Sequence, residues 1–186
     1  MRQYTLIPSL PYCCVTSSLE SILKKHGYKF NQIEIADFYG LTVPAIDFES
    51  VSGKIQNIKI SDDVRQIGLH LGDQGLNTFF MSKGLKLKET FISANELSEL
   101  NFDTVLETIP ETSDMLMFFD YGLLFDEERN IGVGHDGIYL GKEGDFIFYL
   151  DSGPRRMGVN KVPSDAMLRA MKGAFAGGGI SVITEV

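Results

Sequence analysis

Residues 134–154, GHDGIYLGKEGDFIFYLDSGP, carry the strongest structural signal in the 186-residue chain. Two apolar, aromatic-rich arms flank a short polar segment. That pattern predicts an antiparallel hairpin. Taking Lys142–Glu143–Gly144 as a three-residue loop ending in glycine predicts a type I turn with a bulge. In that register His135 stands opposite Asp151 on one face, with Cβ atoms about 5 Å apart. A carboxylate facing an imidazole orients the ring and stabilises its protonated form.

Far upstream, residues 11–27 read PYCCVTSSLESILKKHG and hold the only two cysteines, Cys13 and Cys14. Val15, Leu19, Ile22 and Leu23 form a helical stripe. Lys24, Lys25 and His26 fall in the last turn and Gly27 is a stop. The helix is expected to start near Cys13. Neighbouring cysteines make a strained disulfide that closes almost no loop. Zinc motifs use spaced pairs such as CxxC with further ligands, and nothing here supplies them. Core packing and a nucleophile remain. A thiol at a helix N-terminus next to an imidazole is expected to have its pKa lowered below the free value of about 8.5. A cysteine at this helix start, with His135 and Asp151, could then supply nucleophile, base and orienting carboxylate.

Outward from these segments, FNQIEIADFYG (30–40) predicts a short helix and KIQNIKI (54–60) a short strand. Two more helices are expected at SDDVRQIGLHLG (61–72), capped by Ser61, and QGLNTFFMSKG (74–84). LKLKETFIS (85–93) predicts a strand and SANELSELNFDTVLETI (93–109) a helix. DMLMFFDYGLLF (114–125) reads as one buried strand. VPSDAMLRAMKGA (162–174) predicts a capped helix and GISVITEV (179–186) a last strand. Helices early and strands late indicate an α+β class. GVGHDG (132–137) matches GxGxxG formally but lacks the strand before and helix after that a dinucleotide site needs. His26 reads as a helix cap and His70 as a member of a core-facing stripe with Leu69.

The chain is 44% hydrophobic, enough for a sizeable core, and its length suggests one domain over residues 1–186. A formal charge of −8 argues against nucleic acid as a partner. No apolar run has the length of a membrane span or of a signal-peptide h-region, so no membrane association and a cytoplasmic location are expected.

CVTSSLESILKKHG (14–27) resembles the nucleophile helix of papain-like cysteine enzymes of the C39 type. The hairpin resembles that family's His strand, turn and Asp strand, with His135 and Asp151 at the motif positions. The resemblance selects Cys14 over Cys13. It implies a papain-like α+β fold, an N-terminal helical part carrying the Cys helix packed on a C-terminal, mainly antiparallel sheet. It further implies a Cys14–His135–Asp151 triad, without cofactor or metal, acting on a peptide, amide or thioester. The family's oxyanion glutamine falls six residues before the cysteine, where this chain has Pro8; Gln3 and Ser9 are weaker oxyanion candidates. The long interval between Cys14 and His135, and the CVTS helix start, also resemble the N-terminal domain of butirosin biosynthesis protein H. That likeness implies acyl transfer, with an acyl carrier protein as partner. A papain-like binding domain without catalysis is the third reading.

Overall fold

The structure is a computed structural model; residues 1–72, 75–174 and 177–186 are described. The chain runs through α1 (Cys14–Lys25), α2 (Gln32–Tyr39), β1 (Leu41–Val43), α3 (Phe48–Ser52), β2 (Ile58–Ile60) and β3 (Gly68–Leu69). It continues through α4 (Asn77–Ser82), β4 (Leu87–Ser93), α5 (Phe102–Thr108), β5 (Asp114–Asp120) and α6 (Tyr121–Phe125). It closes with β6 (Gly134–Glu143), β7 (Phe146–Asp151), β8 (Gly158–Pro163), α7 (Ser164–Gly173) and β9 (Gly179–Glu185).

The main sheet has the order β4-β9-β5-β6-β7-β8 and every neighbouring pair is antiparallel. A small sheet, β2-β1-β3, lies apart from it. Alternation along the strands feeds two cores, because successive side chains point to opposite faces. On one face, Leu116, Ile138 and Leu150 meet Leu19, Ile22 and Leu23 of α1 and Phe79 and Phe80 of α4. On the other, Met115, Met117, Phe119 and Tyr149 meet Phe102 and Leu106 of α5 and Met167, Leu168 and Met171 of α7. The sheet is thus sandwiched, with helices from the later part of the chain covering the face that α1 leaves open. Truncating a fully buried leucine such as Leu19 to alanine costs about 2–5 kcal/mol.

α1 begins at Cys14, one residue later than expected, and its chain turns out at Gly27 with φ +79°. α2 carries a full capping box, Asn31 with Glu34. Three expectations change. Residues 61–72 do not form a helix: Asp63, not Ser61, caps a single 3-10 turn at Val64–Gln66. Gly68 then takes φ +102° and the chain enters β3 to pair with β1. Backbone pairing to an open strand outcompetes a marginal short helix there. The buried run 114–125 is a strand only to Asp120, whose carboxylate caps α6 by accepting from Leu123 N–H at 2.9 Å. In 93–109 only the second half is α-helical; Ala94–Glu96 is a 3-10 turn. β1 and β8 were not anticipated. Gln74, where the fourth helix was expected to open, lies outside the described residues.

The hairpin itself differs in detail. Glu143 pairs with Phe146, so the turn is the two residues Gly144–Asp145, with Gly144 at φ +56°. Between Tyr139 and Gly141 the register shifts by a bulge, and beyond it Ile138 pairs with Leu150.

Candidate active site

The approach to α1 is held tightly. Gln32 of α2 accepts from Leu10 N–H at 2.8 Å and donates from Nε2 to the Pro8 carbonyl at 3.0 Å. Tyr12 adopts φ +64°, a left-handed conformation rare for a tyrosine, and its hydroxyl donates to the Asp47 carboxylate. This turn sends consecutive cysteines to different places. Cys13 is fully buried among Leu41, Val43, Val51 and Ile55. Cys14 is half-buried and lines a cleft.

His135 lies near the start of β6 and Asp151 at the end of β7. His135 Nε2 is 2.9 and 3.0 Å from the two Asp151 oxygens. Asp151 is 1% exposed and also accepts from Gly153 N–H at 2.7 Å. Phe119 and Tyr121 stand edge-on to the imidazole, with centroids at 5.5 and 5.4 Å. Burial disfavours the imidazolium, but the hydrogen bond and charge of Asp151, helped by Asp136, outweigh it and raise the His135 pKa above 6.5. α1 is fastened to this end of the hairpin by a 2.7 Å hydroxyl–hydroxyl hydrogen bond between Ser17 and Ser152.

A second carboxylate of the site, Asp136, is not evident from sequence. Asp136 follows His135 on β6, so its side chain points to the opposite face, toward α1. It is fully buried, and neither carboxylate oxygen has a hydrogen-bond partner among the described residues. Donor atoms of Cys14, His135 and Asp136 lie within 4.8 Å of one another. The available signal is an acid two residues ahead of the apolar run Ile138–Leu140, which alternation aims at the Cys helix. Asp136 also reverses one expectation. Burial first, then the nearby charge of Asp136, push the Cys14 thiol well up; the Val15 amide at the helix start opposes this only in part. Both effects oppose the activation expected from the helix start. Burial likewise raises the Asp136 pKa, against the imidazole of His135.

Of the two oxyanion candidates, Gln3 is exposed and is not among the residues lining the cleft, and Ser9 donates its hydroxyl to the Leu10 carbonyl at 2.6 Å. His26, the C-cap of α1, has Nε2 2.6 Å from the buried Asp114. His70 is exposed rather than in the core, with Nε2 2.6 Å from the Gln66 carbonyl oxygen. The cleft beside Cys14 and His135 measures about 1100 Å³ and is walled by Val15, Leu69, Leu71, Phe91 and Phe118.

No family model matches the sequence, and no curated protein matches it. Solved structures do. One is the peptidase domain of Streptococcus ComA, a bi-functional ABC transporter involved in a quorum-sensing pathway. It superposes with a TM-score of 0.55 over 99% of this chain and 100% of that one, at 12% identity. The chain has a C39-type peptidase-like fold. The N-terminal helices and the mainly antiparallel six-stranded sheet match the α+β class of that fold. Among the described residues no helix is long and apolar enough to cross a membrane.

Proposed function

We propose that residues 1–186 act as one papain-like unit, a thiol-dependent hydrolase of peptide or amide bonds. The observation that carries this is the His135–Asp151 pair, held at 2.9 Å beside the Cys14 thiol at the wall of an apolar cleft. With Nε2 committed to Asp151, Nδ1 is the ring nitrogen left for the thiol. His135 takes the thiol proton as Cys14 Sγ attacks the carbonyl carbon. The tetrahedral intermediate collapses as the imidazolium protonates the leaving amine, giving a thioester on Cys14. Water, deprotonated by His135, then cleaves the thioester and restores the thiol. Asp151 holds the ring and offsets the imidazolium charge. A peptidase domain as structural neighbour favours a peptide over a carrier-bound thioester as substrate, with apolar side chains in the cleft.

The test is turnover across a panel of peptides and thioesters, with mass spectrometry to trap the acyl-enzyme. Cys14→Ala and His135→Ala should abolish turnover and Asp151→Asn should be milder. Full activity in Cys14→Ala would overturn the reading. A binding-only domain is a second reading, favoured by one observation: the Cys14 thiol sits beside the buried Asp136 carboxylate, which together with burial pushes its pKa up. It predicts ligand in the cleft, no acyl-enzyme and no turnover with any substrate.

A further inference from the structure

A buried carboxylate with both oxygens unpartnered is costly and calls for a physical cause. Asp136 is such a group; a thiol, an imidazole nitrogen and the Ser18 hydroxyl are its neighbours, and neither carboxylate oxygen is in hydrogen-bond geometry with any of them. The three donors converge from distant parts of the chain: Cys14 opens α1, and His135 and Asp136 alternate across β6. Short sequence spacing could not reveal the grouping.

We propose that Cys14 Sγ, His135 Nδ1 and one Asp136 oxygen form a three-ligand site for a single Zn²⁺ ion, which withholds the nucleophile while bound. The site shares the side chains of the proposed hydrolase but not its chemistry. Sulfur, nitrogen and oxygen together are a zinc donor set, with bond lengths of about 2.0–2.3 Å. A tetrahedral ion then needs its ligands about 3.3–3.7 Å apart. The donors already lie within 4.8 Å, so a shift of roughly 1 Å in side chains closes the site.

Charge points the same way. A thiolate and a carboxylate neutralise the dication, so a net neutral cluster replaces an unpaired buried acid. The ion inverts the local preference for a protonated thiol. On binding, the Cys14 S–H bond breaks, its proton leaves to solvent and a Zn–S bond forms, without redox change. His135 is prepared for this as well. Its Nε2 already faces Asp151, and a carboxylate behind a ligating histidine fixes the tautomer and ring orientation. Cys14 and His135 both line the cleft, so the fourth coordination position opens into it. With the thiolate lone pair and Nδ1 bound to the metal, neither nucleophile nor base is free, so zinc and acylation exclude each other at Cys14.

The experiment uses the full chain, reduced and stripped with EDTA, titrated with ZnCl₂ against a chromophoric zinc chelator. One ion per chain is expected. Asp136→Asn and Cys14→Ser should each weaken binding at least tenfold, and Cys13→Ala should leave it unchanged. Cobalt(II) added to the wild-type chain should give a thiolate-to-cobalt charge-transfer band that Cys14→Ser abolishes; this readout serves even if Asp136→Asn does not fold. Absence of 1:1 binding, absence of the cobalt band, or undiminished affinity in folded Asp136→Asn would each overturn the site. The hydrolase reading is decided separately, by turnover of metal-free protein. Zinc binding without turnover removes that reading and keeps this one, and turnover without zinc binding does the reverse.

Discussion

His135 and Asp151 hydrogen-bond at 2.9 Å although they are not cross-strand partners. Extending the ladder from Ile138–Leu150 places Asp151 opposite Gly137, so the two side chains meet diagonally on one face. The tight Gly144–Asp145 turn alone would put them on opposite faces. The bulge at Leu140 inserts one residue and brings them back together.

That contact sets a pH dependence. The His135 pKa is raised above 6.5, so its pairing with Asp151 stabilises the fold fully below pH 6.5. The contribution is lost as pH rises through the folded value. In Asp151→Asn burial should prevail and the His135 pKa should drop below that of the wild type. An NMR titration of the imidazole resonances measures both, and an unchanged value in the variant would contradict the assignment.

Gly153 is packed against the same pair. A Cβ there would lie 3.0 Å from both His135 Cε1 and Asp151 Oδ1. Gly153→Ala should therefore displace the imidazole, lower its pKa and reduce turnover about tenfold, a barrier change of about 1.4 kcal/mol. The melting temperature should move only slightly. A variant with wild-type titration and turnover would show that the ring tolerates the methyl group.

The reading of 134–154 placed both residues on one strand face, and the fold agrees, but through a different turn and register. A bulge leaves no mark in apolar alternation, since it exchanges one buried side chain for the next. The Cys helix was legible because Val15, Leu19, Ile22 and Leu23 keep strict helical spacing. Residues 61–72 misled because a two-residue strand and a 3-10 turn mimic a helical stripe over that length. Asp136 escaped notice because its role depends on which layer covers β6, and only tertiary packing decides that.

Cys14 should alkylate slowly in metal-free, ligand-free protein near pH 7, because burial and Asp136 keep the thiol protonated. The rate should climb only above pH 9. Removing the nearby charge with Asp136→Asn should speed labelling at pH 8 by about tenfold. Cys13, with no exposure, should stay unlabelled in the native state. Peptide mapping after brief iodoacetamide treatment gives the rates, and fast wild-type labelling at pH 6 would refute the electrostatic picture.

Stability should depend strongly on a carboxylate at the other end of α1. Asp114 is fully buried and receives Lys25 Nζ at 2.5 Å, His26 Nε2 at 2.6 Å and the Tyr4 hydroxyl at 2.5 Å. Breaking such a group by Asp114→Ala should cost about 3–5 kcal/mol. Urea unfolding reads this directly. A loss under 1 kcal/mol would mean that the network is solvated and weak.

The dipeptide His135–Asp136 belongs to two layers at once. His135 is wedged between Phe119 and Tyr121 on the α6–α7 side, while Asp136 abuts the helix that carries Cys14. The imidazole and the thiol therefore belong to elements of different layers that meet along one strand. Repacking beneath α1, at Leu19 or Ile22, can retune the thiol while the imidazole keeps its setting. Changes around Phe119 can do the opposite, so drift in one layer can alter reactivity without first dismantling the other.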